Sequence, residues 1–190
     1  MNIKNLIGIA GIIVVAGACV PSVNPFYTEK DIVFEPGLVG EWQKGGTNQL
    51  ETWKFEKSGE NAYNLVVTDK DDKQGKLDAR LFKIDGQLFL DLIPNDCGFA
   101  PTQADVVNAA MFPGHLLLRV PQLQPKLQLA YCDYDWLSKC LQENPEALKH
   151  HREGDRGLLT AETKDLQGFI RQHLAELFQT PEEFKRRPAR

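Results

Sequence analysis

Five titratable side chains crowd one short stretch, His150-His151-Arg152-Glu153 with Asp155. Imidazole and carboxylate together can hold a metal or move a proton. The spacing narrows what they can do. Adjacent side chains on a strand point apart, so His150 and His151 cannot share an ion unless the loop curls. His151 and Glu153 lie two apart and can. No His-Glu-x-x-His helix is present. Two readings stand: an enzyme using the His150–Asp155 loop, or an exposed polar loop. Elsewhere the chemistry is sparse. Ser22, Ser58 and Ser138 are the three serines, and none lies in Gly-x-Ser-x-Gly, so a serine hydrolase is not expected. Neither a phosphate loop nor Gly-x-Gly-x-x-Gly occurs. Asp69-Lys70-Asp71-Asp72-Lys73 has calcium-like acids at the wrong spacing. Gln74 stands where the loop needs Gly, and Arg80 where it needs the bidentate Glu. It reads as a solvated hairpin loop. Neither metal nor cofactor is expected.

The thiols are Cys19, Cys97, Cys132 and Cys140. The last three, an odd set, cannot all pair internally. With a helix starting near Tyr134, Cys132 and Cys140 lie about 10 Å apart along its axis, beyond disulfide reach. Cys140 falls on the apolar face of that helix, as a buried free thiol would. In an oxidising compartment Cys97 can pair with Cys132 or with Cys140, pinning a long loop.

Cys19 stands apart. Lys4 is the single charge among the first eighteen residues, and Leu6 to Ala18 is an uncharged run of thirteen. A bilayer-spanning helix needs about 20 apolar residues. The order of charge, short apolar run and small residues fits a secretory signal peptide over residues 1–18. The run ends Ala16-Gly17-Ala18-Cys19. This resembles the lipobox of bacterial lipoproteins, with Ala16 where Leu is commonest. The resemblance implies cleavage before Cys19, a diacylglycerol thioether on its sulfur and acylation of the new amine. The membrane is then the first partner. In a two-membrane bacterium, Val20 in place of the Asp that signals inner-membrane retention favours the outer membrane. The chain is also similar to uncharacterised exported lipoproteins, a likeness that implies an address and no activity.

The elements that position these residues follow from pattern. Of 190 residues, 42% are hydrophobic and 25% charged, with a net charge of -4. This is one globular domain's balance, and it excludes a general nucleic-acid-binding surface. Residues 19–36, with Pro21, Pro25 and Pro36, read as a lipidated tether spanning roughly 23 Å if unstructured. Phe26, Tyr27, Ile32 and Phe34 could instead pack its second half onto the domain. The domain is expected over 37–179. Strands are predicted from Gly40, over Glu51–Lys57, Ala62–Thr68 and Lys76–Ile84, and from Leu88 to Leu92. A phase slip between Leu81 and Phe82 suggests a bulge. Asp85-Gly86 is a type I′ hairpin signal. The interruption Pro94–Gly114, with a possible helix over Asp105–Met111, has the length of a lid or binding loop. Strands His115–Val120 and Lys126–Cys132 follow.

Asp133 or Asp135 can cap a helix whose apolar face carries Trp136, Leu137, Cys140 and Leu141. Pro145 can start a further turn, and Gly157–Thr160 a short strand. Thr160 or Thr163 can cap a last helix with the stripe Leu166, Phe169, Ile170, Leu174, Leu177 and Phe178. Residues 180–190 read as a basic tail, Lys185-Arg186-Arg187 with Arg190.

The predicted fold class is α+β and mainly antiparallel β. Seven or eight strands in a meander curl into a barrel or half-barrel, with C-terminal helices packed on it. Gly40-Glu41-Trp42 at the first strand resembles the Gly-x-Trp of lipocalins, as do the meander and the late helix. The resemblance implies a barrel with Trp42 plugging its closed end and a mouth for a small apolar ligand. A lipocalin has a strand after its helix, and none is read after Phe178. The Arg kept near its last strand has its nearest counterpart in Arg156. Trp53, Phe55, Leu65, Leu90, Leu117 and Leu129 would line the interior, as a ligand site or as a packed core. The expected function is a non-enzymatic, lipid-anchored binding or accessory module of the cell envelope. Its partner would be a small apolar or lipid ligand, or another envelope protein.

Overall fold

The computed structural model describes residues 20–45, 51–70, 72–95, 114–154 and 156–188. Eight antiparallel strands close into a barrel, and a second layer covers part of its outer wall. The strands are β1 (Gly40–Lys44), β2 (Thr52–Ser58), β3 (Ala62–Thr68), β4 (Gln74–Ile84), β5 (Gln87–Pro94), β6 (Leu116–Gln122), β7 (Leu127–Tyr131) and β10 (Glu182–Arg186). Their order around the barrel is β1-β10-β7-β6-β5-β4-β3-β2. β8 (His150–Glu153) and β9 (Arg156–Leu159) form a separate hairpin. Among the described residues the α-helices are α1 (Tyr134–Glu143) and α2 (Thr163–Gln172).

Alternation builds the barrel. In β2, Trp53 and Phe55 point inward and are buried, while Lys54 and Glu56 face solvent. Between β4 and β5 the chain turns at Asp85 and Gly86, with φ of 49° and 80°. Both values suit the type I′ turn. β4 carries no bulge where one is expected. Its pairing with β5 runs unbroken through Leu81↔Leu90 and Phe82↔Phe89. The apparent slip arises because β4 has two buried faces. Ala79 and Leu81 fill the barrel, while Phe82 and Ile84 join the layer outside it. A register shift does occur between β6 and β7, from Arg119 to Gln122.

The stretch read as a basic tail contains the strand that closes the barrel. β10 pairs with β1 through Trp42↔Arg186 and with β7 through Phe184↔Leu127. Phe184 is its one buried side chain, too little alternation to announce a strand. Beside the Gly-x-Trp segment it is Arg186, not Arg156, that stacks on the tryptophan ring. Its guanidinium lies 4.4 Å from the Trp42 ring centre and donates to the carbonyls of Val39 and Gly37. Trp42 Nε1 donates to Leu38 O at 2.8 Å. Gly40 is required here. Its φ is +134°, and a Cβ would stand 2.5 Å from an Arg186 nitrogen.

The outer layer is a second core. Phe82, Phe89 and Leu117 from the barrel's outer face meet Leu137 and Leu141 of α1 and Leu166, Phe169 and Ile170 of α2. Asp133 caps α1 by accepting from Trp136 N at 2.9 Å. α2 is shorter than its apolar stripe. It ends at Gln172; Leu177 reaches the same core from the turns that follow, its amide donating to His173 O, and Phe178 from a bridge to Cys132. Glu162 holds its N-cap position, while Thr163 Oγ1 donates instead to Pro25 O.

Residues 20–38 are a strap, not a leash. Ser22 exchanges backbone hydrogen bonds with His115, and Pro21 O and Val23 N bond Leu159, so the strap joins β6 to β9. Phe26 is buried in the outer core. Leu38 is buried in the barrel.

Candidate functional site

The barrel interior is the first place to look for a ligand. Trp53, Phe55, Leu65, Leu90 and Leu129 converge inside it, and Leu117 does not. Leu117 follows the opposite parity of β6 and faces the helices, while Leu118 and Val120 point inward. The five inward residues are buried among Trp42, Tyr63, Leu81, Leu127 and Phe184. Aromatic contacts knit them: Trp53 to Phe184 at 5.6 Å, Phe55 to Tyr63 at 6.2 Å, Trp53 to Phe55 at 6.2 Å. A ligand-sized void would leave accessible surface on its lining, whereas Phe55, Leu65, Leu90 and Leu129 have none. Tyr63 keeps its hydroxyl satisfied against Glu35, accepting from its amide at 2.7 Å. Burial raises the Tyr63 pKa, so it stays a neutral phenol.

Within the outer core a void of about 20 Å³ lies among Phe26, Cys132, Leu137 and Phe169. That is room for one water and no ligand. A larger hollow of about 390 Å³ sits outside the barrel, between Glu29 and Ile32 of the strap, the β2–β3 turn and Arg80. It is open and polar, and it suits solvent better than an apolar molecule.

The His150–Asp155 stretch forms the β8–β9 hairpin. His150 is half-buried, and its Nδ1 lies 2.8 Å from Leu148 O. His151 and Glu153 face solvent on the hairpin. Asp155 is outside the described residues. Among the described residues, no three His, Cys, Asp or Glu side chains gather where a metal could bind.

Cys132 is buried, with its sulfur 3.6 Å from Leu117 O. Cys140, on α1, has no disulfide partner among the described residues. Burial and the nearby Glu143 raise its pKa, which makes it a poor nucleophile. Cys19, Cys97 and the expected 105–111 helix lie outside the described residues, as does the expected Cys97 pairing.

One polar cluster escapes sequence reasoning. Asp91 on β5 is 2% exposed. Its Oδ2 accepts from Phe26 N at 2.9 Å, and its Oδ1 lies 2.7 Å from His115 Nδ1. Which partner donates in the second contact follows the imidazole tautomer. The signal was there: a lone Asp within Leu88-Phe89-Leu90-Asp91-Leu92 is a charge that must find partners. Its arrangement ties the strap to the barrel. Nearby, Gln167 of α2 donates to Phe26 O at 3.1 Å and to Asp31 Oδ2 at 2.9 Å.

No protein-family model, no curated protein and no solved structure matches the chain.

Proposed function

We propose that the chain is a lipid-anchored, non-enzymatic accessory module of the cell envelope. In this reading Cys19 carries the lipid, and in a two-membrane bacterium the barrel sits on the periplasmic side of the outer membrane. The partner is another envelope protein, held on the barrel's outside. One observation carries the choice of partner: the lumen is filled by its own side chains, from Trp42 through Phe55 and Leu65 to Leu129. The strand after the helix and the Arg186–Trp42 stack support a lipocalin-like architecture with its end shut. The closed apolar barrel also supports a second reading, a small apolar ligand admitted by rearrangement of the lumen.

Native mass spectrometry of protein released from membranes separates the two. The accessory reading expects a polypeptide beginning at Cys19, carrying its acyl groups and no other small molecule. A stoichiometric apolar compound lost on denaturation moves the assignment to the second reading. Radiolabelled palmitate tests the anchor. Incorporation is expected in the native chain and not in Cys19→Ser, and label that ignores the substitution overturns the lipoprotein reading.

A further inference from the structure

We infer that the protein docks against the bilayer in one fixed orientation, with the β8–β9 hairpin and the start of the strap in the phospholipid headgroup layer. The inference rests on the lipid anchor proposed above and goes beyond it. An anchored domain on a long tether can tumble freely. This one has no slack. Val20 packs into the outer layer, its side chain 3.3 Å from where a Cβ on Gly157 of β9 would stand. Pro21 O and Val23 N are bonded to Leu159. Cys19 is joined to Val20 by a single peptide bond. A sulfur thioether-linked to diacylglycerol therefore holds the hairpin at membrane level.

The surface beside that point suits the role. Val23 is 39% exposed and is the one large exposed hydrophobic side chain among the described residues. It lies four positions from the lipidated cysteine. Beside it Lys149, just before the hairpin, and Arg152 on it face solvent as cations, next to an exposed His151 and the acid Glu153. Cations and a short apolar side chain match a layer of phosphates over acyl chains. The opposite wall differs. β2 lies across the barrel from β6, and it exposes Lys54 and Glu56, paired to each other.

The test uses the full chain, matured in a bacterium and reconstituted into vesicles of phosphatidylcholine and phosphatidylglycerol in equal parts. Benzoylphenylalanine replaces His151 in one preparation and Lys54 in another, both exposed sites. After irradiation, phospholipid adducts are expected several-fold more often at position 151. A dozen Gly and Ser residues inserted between Cys19 and Val20 add a tether of about 20 Å and should bring the two yields together. Intact mass keeps the premises apart. Lipidated protein with equal yields at both positions overturns the docking alone. Protein lacking diacylglycerol overturns the anchor and the docking with it.

Discussion

The molecule has two apolar cores that share the walls of one barrel, and they are assembled differently. The inner core is drawn almost wholly from alternate residues of consecutive strands. Trp53, Phe55, Leu65, Leu81 and Leu90 each face inward because their strand neighbours face out. The outer core joins pieces distant in sequence: Phe26 of the strap, Phe82 and Phe89 of the wall, Leu137 of α1 and Phe169 of α2. The inner core holds itself together through hydrogen-bonded neighbours. The outer one needs polar staples across the gaps, and Asp91 and Gln167 supply them. The barrel is thus the scaffold, and the outer layer is what connects it to the N-terminal strap.

Truncating Trp42 should show the largest effect. Trp42→Ala deletes a fully buried ring of the barrel core that seats Arg186. A loss of about 3–5 kcal/mol is expected, read as a lower urea midpoint at unchanged slope. A loss below about 1 kcal/mol would mean that the barrel core around Trp42 is not packed as described.

Breaking a staple should act more gently and more locally. Asp91→Ala leaves the Phe26 amide and His115 Nδ1 without their carboxylate. About 1–3 kcal/mol is expected for such stranded polar groups. Hydrogen exchange should quicken at Ser22 and Phe26 while Trp53 and Leu65 in the barrel keep their protection. Equal quickening in both regions would merge the two cores into one cooperative unit.

What could be read from the sequence follows the same division. Ala62–Thr68 and the Asp85-Gly86 turn were legible because alternation and turn chemistry are local. Phe82 and Ile84 misled because an antiparallel strand was expected to bury one face, and this one buries two. The helical stripe overran α2 because Leu177 and Phe178 reach the same core without being helical. β10 was missed for the reverse reason: three basic residues around one Phe resemble a solvated tail. Only partners far away in sequence, Trp42 for Arg186 and Leu127 for Phe184, make it a strand. The inward set was legible apart from Leu117, whose parity depends on where β6 begins. The strap's bonds to His115 and Asp91 depend on tertiary contact alone.

The smallest effect concerns the second staple and depends on pH. Burial pushes the Asp31 carboxyl up, but hydrogen bonds from the Thr28 hydroxyl, the Gln167 amide and the Thr28 backbone, with Lys30 nearby, outweigh it. The net pKa lies below the ordinary carboxylate value. The unfolded chain then binds the proton more readily than the folded one. Asp31 therefore stabilises the fold fully above the ordinary carboxylate range near about 3.9, and that contribution is lost as pH falls through its lower folded value. In Asp31→Asn the titration is gone. Urea midpoints taken from neutral pH down through this window should fall more for the native chain than for the variant, with the curves closest at the acid end. Parallel curves would show that Asp31 keeps an ordinary pKa, and that Gln167 staples α2 to the strap through Phe26 O alone.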